Sequence, residues 1–220
     1  MHRPVCITYD STCDLTPQLL ERFRIRTVPL TIQSGERVFP DDGRYTSADL
    51  YADYRSRGTL PKTAAVSPEE FKSFFAPILA EGYDIVHIDI SAELSCTCQN
   101  AVLAAQELTE RGEIHVVDSR QLSTGGGLLA LQGAKLRDSG MAAADIAAEL
   151  RRLAPHSDTS FVLDALELQR QIMLVLHRVL HQSFGQQQRL IIIAEARCRY
   201  RLLHHVRQHF HAVPALAGRV

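Results

Sequence analysis

The chain lacks the short motifs of several common enzyme classes. No Gly-x-x-x-x-Gly-Lys-[Ser/Thr] occurs, which excludes a P-loop for a nucleoside triphosphate, and no Gly-x-Gly-x-x-Gly follows the first strand-like segment, which excludes the dinucleotide fingerprint. Gly-x-Ser-x-Gly is absent, so there is no nucleophile elbow. The five cysteines are an odd number and follow neither a zinc nor a Cys-x-x-Cys spacing; the nearest pair is Cys96-x-Cys98. Reduced thiols in a cytoplasmic protein are the expectation. The longest apolar run is too short to span a bilayer, and Met1-His2-Arg3-Pro4 leads straight into a strand-like segment, so no signal peptide is expected. Charge of either sign is not in excess: 24 Lys and Arg oppose 25 Asp and Glu, which gives no whole-chain attraction for a polyanion. Histidine is scarce where it would matter for catalysis. Residues 1–167 hold only His2, His87, His115 and His156, and the middle two fall inside strand-like runs, where a satisfied core histidine is the default. No Ser–His pair can be assembled from them, so a nucleophilic enzyme has no visible base.

What is present is an ordinary globular composition, 45% hydrophobic and 22% charged, with one sharp break. Residues 1–167 carry 16 Lys/Arg against 24 Asp/Glu, whereas residues 168–220 carry eight Arg, no Lys, a single acid (Glu195), six His and seven Gln. The organisation is therefore read as a lobe over 1–167 and a basic tail over 168–220. Within the lobe, strands are expected at Val5–Tyr9, Thr27–Ile32 (with Pro29 marking an edge or a bulge), Asp84–Ile90, Ile114–Val117 and Thr159–Leu163. Helices are expected after Thr16-Pro17, after Ser47 as a cap, after the capping box Ser67-Pro68-Glu69-Glu70, over Asn100–Leu108, after Ser123-Thr124 with its three glycines, and over Ala142–Leu153. Val38–Tyr45 reads as a turn cluster and Gly58–Val66 as a loop. Strands alternating with helices of this length give an α/β fold with a mainly parallel sheet flanked by helices.

In such a sheet a ligand site lies beyond the carboxyl ends of the strands. Those ends read Asp10-Ser11-Thr12, Ser91-Ala92-Glu93-Leu94-Ser95-Cys96-Thr97 and Asp118-Ser119-Arg120. Each carries hydroxyls, and the second runs directly into a helix whose free N–H groups and dipole suit a carboxylate or phosphate. Any one of these Ser or Thr residues is explained by helix capping. Three hydroxyl-bearing loops at one end of the sheet are better explained by a site. Gly125-Gly126-Gly127 reads as a tight helix start rather than a phosphate cradle.

Five segments, in order and in spacing, resemble the DegV family: Asp10-Ser11-Thr12-Cys13-Asp14-Leu15, Thr63-Ala64-Ala65-Val66-Ser67-Pro68, Ser91 to Thr97, Val117-Asp118-Ser119 followed by Ser123-x-Gly-x-Gly, and Phe161-Val162-Leu163-Asp164-x-Leu166-Glu167. The resemblance implies a protein that binds a long-chain fatty acid between two α/β lobes, without chemistry or a cofactor of its own, as the lipid-carrying partner of a bacterial fatty acid kinase. Carried over, Thr63 and Ser95 hold the carboxylate, with Ser91, Thr97 and the amides around Cys96 as weaker candidates; no metal is implied. The chain departs from the pattern in three ways. Two polar residues and a proline of the second motif are replaced in Thr63-Ala64-Ala65-Val66-Ser67, Cys96 stands where the family has glycine, and the match ends at Glu167 where a second lobe would continue.

The tail has two readings. One is a basic, His-rich module that contacts nucleic acid through Arg197, Arg199, Arg201 and Arg207. The other is a disrupted family member, favoured by the all-Arg composition and by the break in the middle of a motif, with lipid binding impaired by loss of the second lobe. A different class, an enzyme handling a small phosphorylated or carboxylated metabolite at the same strand ends, requires a general base near Ser95.

Overall fold

The computed structural model describes residues 2–58, 60–157 and 159. Its elements run β1 (Val5–Asp10), α1 (Pro17–Arg22), β2 (Ile25–Val28), β3 (Thr31–Ser34), β4 (Arg37–Pro40), α2 (Ser47–Arg57), β5 (Lys62–Ala64), α3 (Pro68–Ala80), β6 (Asp84–Asp89), α4 (Thr97–Gln106), β7 (Ile114–Asp118), α5 (Thr124–Asp138) and α6 (Ala143–Leu153). Four strands form a wholly parallel sheet in the order β2-β1-β6-β7, and β3 forms a small antiparallel sheet with β4 and β5 at its sides. The α/β fold with a parallel sheet flanked by helices is as the sequence indicates.

The central strands β1 and β6 are buried along their whole length, as a sheet covered on both faces requires. Because side chains alternate, each face has its own set. Ile7, Tyr9, Val86, Ile88 and Val117 pack with Leu129, Ala130 and Ala134 of α5 and Ile146, Ala147 and Leu150 of α6. Cys6 and Ile85 pack with Phe71, Phe75 and Ile78 of α3 and Ala101 and Ala104 of α4.

Five local expectations are corrected. Thr27–Ile32 is not one strand: β2 ends at Val28 and β3 begins at Thr31 in the other sheet. Pro29 has no N–H to give a ladder, and the Leu30 N–H is taken by Ser11 Oγ at 3.1 Å. Thr46, not Ser47, caps α2, because Asp49 stands three residues after Thr46 and completes a reciprocal capping box. The turn cluster of Val38–Tyr45 begins inside β4. The loop expected over Gly58–Val66 contains β5, whose three residues are all exposed and so show no apolar alternation in the sequence. His87 is the fully buried, hydrogen-bonded core histidine expected, but His115 is a half-buried side chain paired with Glu113 at 2.9 Å. The strand expected at Thr159–Leu163, Thr159 apart, and the tail over 168–220 lie outside the described residues.

Candidate functional site

Chain connections leave β1 toward β2 on one side and β6 toward β7 on the other, so the crevice of this sheet opens at the carboxyl ends of β1 and β6. Three aspartates stand there. Asp89 is level with Asp118 in the β6–β7 register, and Asp10 follows the Tyr9↔Ile88 pair, level with Asp89 on its other side. Residues level across a parallel sheet share a face, here the α3/α4 face.

The outer two pin the turn between them. Asp10 accepts the Ile90 N–H at 2.8 Å through Oδ2, and the N–H and hydroxyl of Thr12 at 2.7 and 2.6 Å through Oδ1. Asp118 Oδ1 accepts the N–H of Ala92 at 3.1 Å and of Arg120 at 2.8 Å. The turn itself closes through Ser91, whose carbonyl accepts the N–H groups of Leu94 and Ser95 and whose Oγ accepts that of Glu93 at 3.3 Å. It ends in a hydroxyl pair, Ser95 Oγ and Thr97 Oγ1 at 2.8 Å, with the Thr97 N–H donating back to Ser95 Oγ at 3.2 Å.

The structure thus brings Ser95 and Thr97 together at the first turn of α4. Ser91 and Thr97 are buried and Ser95 is half-buried. Thr63 is exposed on β5, opposite Ile32 of β3, and makes no hydrogen bond to that turn. A hydrogen bond joins the two regions: Asn100 Nδ2 of α4 donates to the carbonyl of Val66, three residues after Thr63, at 2.8 Å. Cys96 occupies the N-cap position of α4 with its side chain exposed, and Cys6, Cys13, Cys96 and Cys98 are free thiols.

Beneath the turn lies a buried chain that sequence reading missed. Thr8 Oγ1 meets His87 Nδ1 at 2.8 Å, and His87 Nε2 meets Asp89 Oδ1 at 3.0 Å, with all three residues at 0% exposure. Phe71 and Phe75 present their rings edgewise to the imidazole, each centroid 5.1 Å away. Asp89 Oδ2 is buried without a partner. The signal was there in register: Thr8 and Asp10 on β1, and His87 and Asp89 on β6, are polar at alternate positions of strands that are apolar between them. Burial, and then the charge of Asp89, hold the Asp10 carboxyl above the usual carboxylate range. Burial pushes the Cys98 thiol up to about 12, helped by the charges of Asp89, Asp118 and Asp10 in that order.

The three glycines at the start of α5 serve packing on the opposite face. A Cβ at Gly126 would overlap Tyr9 Oη, one at Gly127 would meet the Cys13 carbonyl at 2.6 Å, and one at Gly125 would overlap Thr159 Oγ1. Tyr9 Oη, so enclosed, donates to Ser119 Oγ at 3.2 Å, which donates to the Gln121 carbonyl at 3.3 Å. Burial raises the Tyr9 phenol. Among the described residues no group of three His, Cys, Asp or Glu is arranged to hold a metal ion, and no helix is long and apolar enough to cross a membrane.

Comparison with known proteins bears directly on this architecture. The family profile described as an uncharacterised protein of the DegV family matches residues 4–170. The chain belongs to the DegV family. A DegV domain-containing protein of Clostridium perfringens is 34% identical over 161 residues, covering 73% of this chain and 57% of its own length. The chain therefore spans somewhat more than half the length of the curated relatives it matches. A DegV family protein from Thermus thermophilus, solved as a fatty-acid-binding protein, superposes with a TM-score of 0.63 at 32% identity, over 69% of this chain and 53% of its own. A Thermotoga maritima protein whose structure reveals fatty acid binding function gives a TM-score of 0.61 at 28% identity, over 69% and 55%.

Proposed function

We propose that this DegV chain binds a long-chain fatty acid at the strand-end turn, with the head group taken by Ser95 and Thr63, and Ser91 and Thr97 behind them. The observation that carries the reading is the Ser95–Thr97 hydroxyl pair at the start of α4, beside the β1/β6 crevice. The fatty-acid-binding neighbours of the same fold support it. The metabolite-enzyme alternative needs a base at Ser95, and the geometry argues against one. The Ser95 hydroxyl is engaged with Thr97, and both nitrogens of His87 are committed to Thr8 and Asp89. The protein is accordingly a carrier that performs no reaction, acts in the cytoplasm and presents its lipid to a fatty acid kinase. Neutral hydroxyl donors fit that task, since they release a head group more readily than a bidentate arginine would.

Native mass spectrometry of the full chain purified from cells is the test. The expected result is a retained acid about sixteen to eighteen carbons long, a size suited to an ordinary ligand pocket. Ser95→Ala and Thr63→Ala should each weaken binding by about 0.5–3 kcal/mol, the range for a lost hydrogen bond to the head group. A double variant that keeps lipid at wild-type occupancy overturns the assignment of these residues. Absence of any retained or added lipid overturns the function.

A further inference from the structure

We propose that the strand-end site takes its ligand as the uncharged carboxylic acid, so that binding above the ligand's own pKa takes up one proton. This rests on the lipid-binding reading and specifies the chemical form that the site selects.

The first ground is charge. The turn that carries Ser95 is flanked by Asp10 from β1, Asp89 from β6 and Asp118 from β7, and Glu93 lies within it. The positive end of α4 contributes the equivalent of about half a charge, against three carboxylates placed level on three adjacent strands. Cys98, in the first turn of α4, feels all three of them, which ties the row spatially to the helix start. Among the described residues, the side chains that hydrogen-bond within the turn are hydroxyls and carboxylates, with no ammonium or guanidinium among them.

The second ground is the unpartnered Asp89 Oδ2. Among the described residues, the groups that face or feel Asp89 are His87 on its own strand, Asp10 and Tyr9 on β1, Asp118 on β7 and Cys98 on α4; α3 sets the phenyl rings of Phe71, Phe74 and Phe75 against the imidazole. None of them donates to Oδ2, so within this carboxylate only Oδ1, facing His87, has a hydrogen-bond partner. A second anion placed above this row meets repulsion in a medium that screens poorly. A neutral carboxyl meets none, and its O–H and C=O match hydroxyls that both donate and accept, as Ser95 and Thr97 do. The proton comes from solvent, stays on the ligand oxygen while bound, and returns to solvent on release.

The test is titration calorimetry of the full chain with palmitic acid and, in parallel, with hexadecanol, both delivered from cyclodextrin, between about pH 5.5 and 8.5. The Kd for palmitic acid should rise close to tenfold per pH unit above the ligand's pKa, the slope for one linked proton. The Kd for hexadecanol should not change. Repeating the titration in buffers of different ionisation enthalpy should return about one proton taken up per palmitic acid bound. Asp118→Asn, which keeps an acceptor for Ala92, and Asp89→Asn should each reduce the slope by admitting the anion. Palmitic acid that binds with a Kd flat in pH overturns this inference and leaves the lipid reading standing. Failure of both ligands to bind at every pH overturns the lipid reading and this inference with it.

Discussion

On the α5/α6 face of the sheet, apolar side chains continue to the last level of the strands: Ile7 beside Val86, then Tyr9 beside Ile88 beside Val117. Gly126 at the start of α5 then closes the end of that face against Tyr9. On the α3/α4 face of the same strands, polarity increases toward the same end. Cys6 and Ile85 come first, then Thr8 and His87, then Asp10, Asp89 and Asp118. The strands and registers are identical, and only the parity of the positions differs. One face is built for density, the other for a polar edge that shapes a loop. A one-residue slip would exchange them, so the hydrophobic face fixes the register that places the aspartates.

The largest effect should come from the dense face. Ile88→Ala removes a fully buried side chain and should cost about 2–5 kcal/mol in urea unfolding. A cost under about 1 kcal/mol would mean that this face is not the main source of stability. Next, Gly126→Ala should cost about 1–3 kcal/mol by overpacking against Tyr9. Adding Tyr9→Phe should recover part of it, since the phenol oxygen is the nearest atom met, and strict additivity of the two changes would refute that contact.

The polar face should show itself in pH dependence. The native Asp10 carboxyl holds its proton to higher pH than in the unfolded chain, so the folded state binds more protons over that interval. Stability from this group is fully present below the unfolded pKa and is lost as pH rises through the native one. The surface acids Glu81, Asp138 and Glu149 are shifted the other way by their arginine partners, so their contribution is lost only on the acid side. Asp89→Asn removes a charge that raises Asp10 and should therefore shrink the loss on the alkaline side. Urea midpoints measured across the pH range would show it, and an unchanged profile would refute the coupling. The smallest effect belongs to the surface: breaking the exposed Arg26–Glu81 pair with Arg26→Ala should cost no more than about 1 kcal/mol, despite its two short hydrogen bonds.

The main strands and the helices beside them were legible because their signals are local: apolar runs, Thr16-Pro17, and the capping box at Ser67. The three hydroxyl loops were legible as strand ends. What stayed hidden depends on partners distant in sequence. Lys62–Ala64 is a strand only because β3 lies beside it, and all of its residues are exposed. The Thr8–His87–Asp89 chain needs the β1–β6 register before its members become neighbours. The glycines of α5 read only as a tight helix start, and what they pack against was hidden until Tyr9 stood opposite Gly126.

The Asp10 carboxylate has consequences for the order of assembly. One of its oxygens shapes Thr12 next door, but the other closes on Ile90, 80 residues further along the chain. No local segment can complete that bond. Loop closure over such a span must precede it, and parallel pairing at that separation slows folding. The first strand-end turn is therefore finished only after the β1–β6 pair has formed, while α1, capped by its own Thr16, has no such wait. On a growing polypeptide, the crevice does not exist until β6 has been synthesised and has docked.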